Sequence, residues 1–129
     1  MLNYTISTEK KPEATELLHL FTQTSWAKNR TLKDTKALLE NTSLFVVAKH
    51  KSKVVAFGRA LTDGVYRALI DDVIVDESFR KSGLGTHIIN TLLKKLHPVE
   101  EIFLNTAEHL ETYYQKFGFT KAKCTTMKL

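Results

Sequence analysis

The chain has 129 residues, of which 43% are hydrophobic and 26% charged, and a formal net charge of +5. That is the composition of an ordinary globular chain with one core, read as one domain over residues 1–129, and no repeat, linker or low-complexity stretch interrupts it. No apolar run approaches the ~20 residues that a membrane span requires. Met1-Leu2-Asn3-Tyr4 lacks the cationic start and apolar block of a secretory signal. Cys124 is the only cysteine, which excludes an internal disulfide and fits a reducing cytoplasm. The five histidines are scattered without metal-ligand spacing, so no metal is expected. The cations are spread along the chain with few aromatics among them. That argues against a nucleic-acid interface and is compatible with a polyanionic small molecule.

In chain order, Tyr4 to Thr8 alternates weakly and reads as a first strand. Pro12 opens a helix whose apolar face carries Ala14, Leu17, Leu18 and Phe21. Thr24 to Arg30 breaks the period and reads as a loop. Thr31 caps a second helix with Asp34 in its first turn, and that helix ends near Asn41. Leu44 to Ala48 is a continuous apolar strand, Lys51-Ser52 a turn, and Lys53 to Leu61 its return. Asp63-Gly64 signals a hairpin, followed by a strand from Val65 to Val75. A glycine turn leads into a helix carrying Leu84, Ile88, Leu92 and Leu96, closed by Pro98. Ile102 to Leu104 is a short strand that can lie parallel to the preceding one, because a helix joins them. A helix over roughly Glu108 to Phe117, ended by Gly118, and a final strand from Phe119 to Met127 complete the chain.

The centre of this order is the run Val73-Ile74-Val75-Asp76-Glu77-Ser78-Phe79-Arg80-Lys81-Ser82-Gly83-Leu84-Gly85-Thr86. A helix opening after such a turn presents unpaired N–H groups and the positive end of its dipole, which suit a phosphate or pyrophosphate. Glycines without Cβ atoms let that ligand approach the backbone. Gly85 is followed by Thr86-His87 and not by Lys, which excludes the nucleoside-triphosphatase phosphate loop; Ile88 stands where the dinucleotide fingerprint needs a third glycine.

Arg80-x-x-Gly83-x-Gly85 resembles the acyl-CoA-binding signature [QR]-x-x-G-x-[GA] of the GNAT superfamily of N-acetyltransferases. Tyr113-Tyr114-Gln115-Lys116-Phe117-Gly118-Phe119 resembles the same superfamily's late segment, commonly written fYeklGF, with its tyrosine on Tyr114. The order of elements is similar to the family fold over essentially the whole chain. The resemblance implies an α/β fold: a mostly antiparallel mixed sheet, a parallel splayed pair at strands four and five, and helices on both faces. One place departs from the pattern. Ala107 stands where many members carry a cofactor-contacting Asn, and Asn105 either substitutes for it or caps the next helix with Glu108 reaching back.

The resemblance implies transfer of the acetyl group of acetyl-CoA to a primary amine by direct attack, most simply on a small molecule. A protein N-terminus or lysine as acceptor, and a non-catalytic acyl-CoA sensor, are the alternatives. It assigns the cofactor to the backbone of Val73, Ile74 and Val75 for the pantetheine arm, and to Arg80, Lys81, Ser82, Gly83, Leu84, Gly85 and Thr86 for the diphosphate. Asn105 and Tyr114 complete the cofactor set, and Tyr114 is the expected proton donor to the departing thiolate. An alkylammonium, with a pKa of about 10, must first lose a proton. Asp71 and Asp72 are adjacent in a strand and expected on opposite faces, with Asp72 favoured as the base unless both are surface acids or ion-pair partners. Trp26, Arg59 and Asp71 are placed at the acceptor, with Trp26 either a cover or a hydrophobic plug, and Asp63, Tyr66 and Arg67 flank the cleft. Neither a nucleic-acid nor a membrane partner is expected, and the oligomeric state, a homodimer included, stays open.

Overall fold

A computed structural model describes residues 3–129. Met1-Leu2, half of the stretch scanned for a signal, lies outside them. The elements are β1 (Thr5–Ser7), α1 (Ala14–Thr22), α2 (Leu32–Glu40), β2 (Leu44–His50), β3 (Lys53–Thr62), β4 (Arg67–Val75), α3 (Leu84–Lys95), β5 (Glu101–Leu104) and α4 (Glu111–Gln115). Two short 3-10 turns, Glu77–Phe79 and Glu108–Leu110, precede α3 and α4. The sheet order is β1-β2-β3-β4-β5, antiparallel except for the parallel pair β4/β5. This is the mixed sheet that the resemblance implies. No helix among the described residues is long and apolar enough to cross a membrane.

Local chemistry explains most boundaries. Glu13 and Glu16 form a reciprocal capping box at the start of α1, one residue after Pro12. The Thr31 hydroxyl accepts the Asp34 N–H at the start of α2. Lys51 and Ser52 both take positive φ, 48° and 66°, in a tight two-residue turn whose twist suits a hairpin. The next connection is longer than the expected two-residue turn at Asp63-Gly64. Asp63 Oδ1 accepts the N–H groups of Val65, Tyr66 and Arg67, and β4 starts at Arg67 rather than at Val65. Those three donors hold the Asp63 carboxyl below its ordinary range.

Two cores flank the sheet. Leu84, Ile88, Ile89, Leu92 and Leu96 of the α3 segment pack with Val46, Val55, Ala60 and Ile70 on one face. Leu17, Leu20, Phe21 and Leu39 pack with Phe45, Val47, Phe57 and Ile74 on the other. Ile70 and Ile74 would share a face in a regular strand. They do not, because β4 carries a bulge: Phe57 pairs with Ile74 and Arg59 with Asp71, so Gly58 faces both Asp72 and Val73. Asp72 takes φ 53°, and the extra residue turns the rest of the strand over.

The C-terminal segment differs from expectation. Phe119 to Met127 forms no strand, and residues 121–129 are exposed. Lys121, Lys123 and Lys128 leave no apolar alternation to bury, so strand propensity there has no packing to support it. The expected long helix is also divided, into the turn Glu108–Leu110 and the short α4.

Candidate active site at the splayed strands

β4 and β5 pair only from Arg67↔Glu101 to Ile70↔Leu104. Beyond Ile70, β4 continues to Val75 without a β5 partner, and a cavity of about 430 Å³ opens there. Trp26, Asp71, Asp72, Val73, Asn105 and Tyr114 are among the residues that line it. The bulge is what separates the strands, since it bends β4 away from its neighbour just past the last pair. The backbone of Val73 to Val75 thus runs along an edge that an extended chain could join.

The far end of that edge is the glycine turn. Gly83 takes φ 85° and has open space where a Cβ would lie. A Cβ on Gly85 would come within 3.4 Å of the Tyr113 hydroxyl and 3.5 Å of Val75. The first helical bond runs from His87 N–H to the Gly83 carbonyl, so the earlier amides of α3 have no intrahelical acceptor. No acidic residue sits in the first turn to neutralise them. Buried Leu84 anchors that end in the core. Ser82 Oγ donates to the Phe79 carbonyl, and Lys81 takes φ 63°. Arg80 Nε donates to the Val75 carbonyl at 3.2 Å, tying the turn to the end of β4. The residues present therefore fit a diphosphate: bare amides, a left-handed glycine and flanking cations. Among the described residues no group of three or more His, Cys, Asp or Glu could hold a metal ion.

Gly83→Val places a branched side chain on left-handed backbone, a strain of about 1–2 kcal/mol, inside this cradle. It should weaken acetyl-CoA binding about tenfold by calorimetry, a loss of 1.4 kcal/mol. Gly64→Val, equally strained at φ 79° but remote in the β3–β4 connection, should not. Equal affinity in the two variants would remove the cradle.

The bulge also brings Asp71 and Asp72 to one guanidinium, which corrects the expectation of opposite faces. Arg59 Nε lies 2.7 Å from Asp72 Oδ2, and Arg59 Nη2 lies 3.7 Å from Asp71 Oδ2. The Asp72 side chain is 0% exposed and its second oxygen lies 3.0 Å from Arg30 Nη1. That Arg30 contact is an ion pair without an aligned hydrogen bond, since neither atom has a bonded partner. With a cation on each oxygen, Asp72 is poorly placed to accept a substrate proton. Asp71 is 43% exposed, and one of its oxygens accepts the Asp72 N–H.

Trp26 is 56% exposed at the cavity mouth, so it is not a buried plug. Asn105 lines the cavity, while the 3-10 turn after it is capped at Ala107 without a side-chain bond; the capping alternative for Asn105 and Glu108 is not realised. Tyr114 lines the same cavity, and burial, with a smaller contribution from Tyr113, raises its phenol above the ordinary value of 10.0. Asp63, Tyr66 and Arg67 lie at the opposite end of β4 from the open stretch and are not among the lining residues. Two residues escaped the sequence reading. Tyr113 was noticed only as a neighbour of Tyr114, yet its hydroxyl lies 3.3 Å from Thr86 Oγ1 at the α3 terminus. Arg30 was read within a loop and given no role at the site.

A splayed parallel pair leading into a phosphate-ready glycine turn is the arrangement that the resemblance to acetyl-CoA-dependent transferases implies. Residues 8–128 match the family model described as an acetyltransferase (GNAT) domain, and the chain belongs to that family. It is 34% identical over 122 residues to an uncharacterized N-acetyltransferase, ycf52, of Pyropia yezoensis, covering 90% of this chain and 70% of the relative. It is 33% identical over 107 residues to the chloroplastic GCN5-related N-acetyltransferase 1 of Arabidopsis thaliana, covering 81% of this chain and 54% of that one. In fold it is similar to a GNAT-family acetyltransferase of Streptococcus pneumoniae, with a TM-score of 0.84 at 23% identity, covering 98% of this chain and 97% of that one.

Proposed function

We propose that this acetyltransferase acts on a primary amine of a small molecule, by direct attack on acetyl-CoA with both held at the β4 bulge. The observation that carries this reading is the 430 Å³ cavity between β4 and β5, which joins an exposed indole, the partly exposed Asp71 carboxylate and a phenol. Its size falls in the range of about 300–1,000 Å³ typical of small-ligand sites.

Bound acetyl-CoA supplies an activated acetyl group. The amides of Gly83 to Thr86 hold its diphosphate, with Arg80 and Lys81 adding positive charge. The backbone of Val73, Ile74 and Val75 aligns the pantetheine arm as an added strand, and Asn105 borders it. An N–H on that edge stabilises negative charge developing on the carbonyl oxygen. Asp71, directly or through water, takes a proton from the ammonium so that the free amine attacks, while Asp72 and Arg59 hold the bulge. Tyr114 keeps its proton at neutral pH and gives it to the departing sulfur, and the second proton that the nitrogen sheds as the amide forms restores the phenol through water. Trp26 covers the acceptor. Cys124, free and exposed, suits a reducing compartment, and we place the protein in the cytoplasm on that ground.

The test is purified protein with acetyl-CoA, a thiol reagent, and panels of small primary amines and of peptides with free termini or lysines. Release of CoA with small amines supports the reading. Release only with peptides moves the acceptor to a protein, and binding without release makes the chain a sensor.

A further inference from the structure

One side chain joins the loop between α1 and α2 to the bulge in β4. The Arg30 guanidinium lies 3.0 Å from Asp72, 4.5 Å over the ring of Phe21 and 5.5 Å over the ring of Trp26. Phe21 is fully buried in the core under the sheet, so the guanidinium has a fixed floor. Asp72 is held differently on its two sides. Arg59 reaches it from the neighbouring strand with an aligned bond, and Arg30 reaches it from the loop without one. A charge pair without hydrogen-bond alignment constrains distance more than direction.

We propose that Arg30 and Asp72 form a positioning latch that sets Trp26 over the acceptor end of the slot. This deepens the reading of the site as an amine acetyltransferase and rests on it. The latch explains three features together. Asp72, the residue of β4 with positive φ, is fully enclosed and carries two cations although its bulge borders an open cavity. Arg30 keeps 33% of its side chain exposed while its charged end reaches a buried carboxylate. Trp26, more than half exposed, nevertheless packs on a fixed cation. Arg59 cannot do this work, because it belongs to the sheet and would leave the loop untethered.

The latch acts on the acceptor side only. The acetyl-CoA contacts lie on the β4 edge and the α3 turn, and neither includes Arg30. Arg30→Met keeps the apolar stem over Phe21 and removes the charge. It should raise the acceptor KM about tenfold, within the usual coupling range for side chains in contact, and leave the acetyl-CoA Kd within twofold. Arg30→Lys keeps the charge without the planar stack, so it should leave thermal stability near that of the wild type while the acceptor KM stays raised.

Trp26 is the only tryptophan, so its fluorescence reports the loop without a label or a substrate. Acrylamide quenching of Trp26 should rise by about half, within the room that its 56% exposure leaves, in Arg30→Met and in Asp72→Asn, and the double variant should add nothing further. Unchanged quenching in Arg30→Met, additive effects in the double variant, or equal loss of acetyl-CoA affinity and acceptor KM would overturn the latch. The two readings fail separately. A wild-type protein that releases no CoA with any amine sinks the acetyltransferase reading, whereas quenching decides the latch.

Discussion

Tyr114→Phe should lower kcat about a hundredfold while leaving the acetyl-CoA Kd unchanged. General acid catalysis is worth about 10²–10⁴. The low end applies because a thiol, with a pKa of about 8.5, leaves with little help. The phenol sits in the cavity wall, half-buried, and burial keeps it protonated well beyond neutral pH. The sign follows from that: raised above 10.0, Tyr114 loses its proton only in strong alkali, so its ionisation should not limit activity near pH 8. The substitution removes one oxygen and keeps the ring, which packs against Phe119 and beside Tyr113. Stability should therefore barely move. Single-turnover kinetics separates chemistry from product release, and a wild-type rate there would take the proton-donor role from Tyr114.

The second large effect is on the fold. Gly58 faces the bulge across the strand pair, and a Cβ added to it would lie 2.8 Å from Ile88 Cγ2 and 3.1 Å from Leu92 Cδ1. Both neighbours are fully buried on α3, so neither can swing out to solvent. Gly58→Val should cost about 1–3 kcal/mol, the usual range for overpacking, and several degrees in Tm. It should also weaken acetyl-CoA binding, because moving α3 off the sheet carries the glycine turn with it. Thermal denaturation and calorimetry on the same variant test both. A loss of stability with intact cofactor affinity would mean that the turn holds its place independently of α3.

Much of the fold was legible because its signals are local. The Thr31 cap, the Lys51-Ser52 turn, the apolar period from Leu84 to Leu96 and the glycine turn are each settled within a few residues. The C-terminal strand was misread for the same reason. Phe119 to Met127 has strand-like residues in places, but whether a strand forms depends on a buried face, and the lysines there supply none. Tyr114 and the cofactor stretch were recognisable from motif and spacing. Arg30 was not, because nothing near it in the chain announces a partner on β4.

The chain alone determined its family, the order of its elements and the place of the phosphate-ready turn, since these depend on short-range pattern and on the chemistry of a few adjacent residues. Only the folded protein decided how Asp71 and Asp72 divide their roles. One extra residue opposite Gly58 turns the strand over, brings both carboxylates to Arg59 and lets a loop cation reach Asp72. A bulge arises from the pairing of two strands, so neither strand's residues reveal it until the partner is in register.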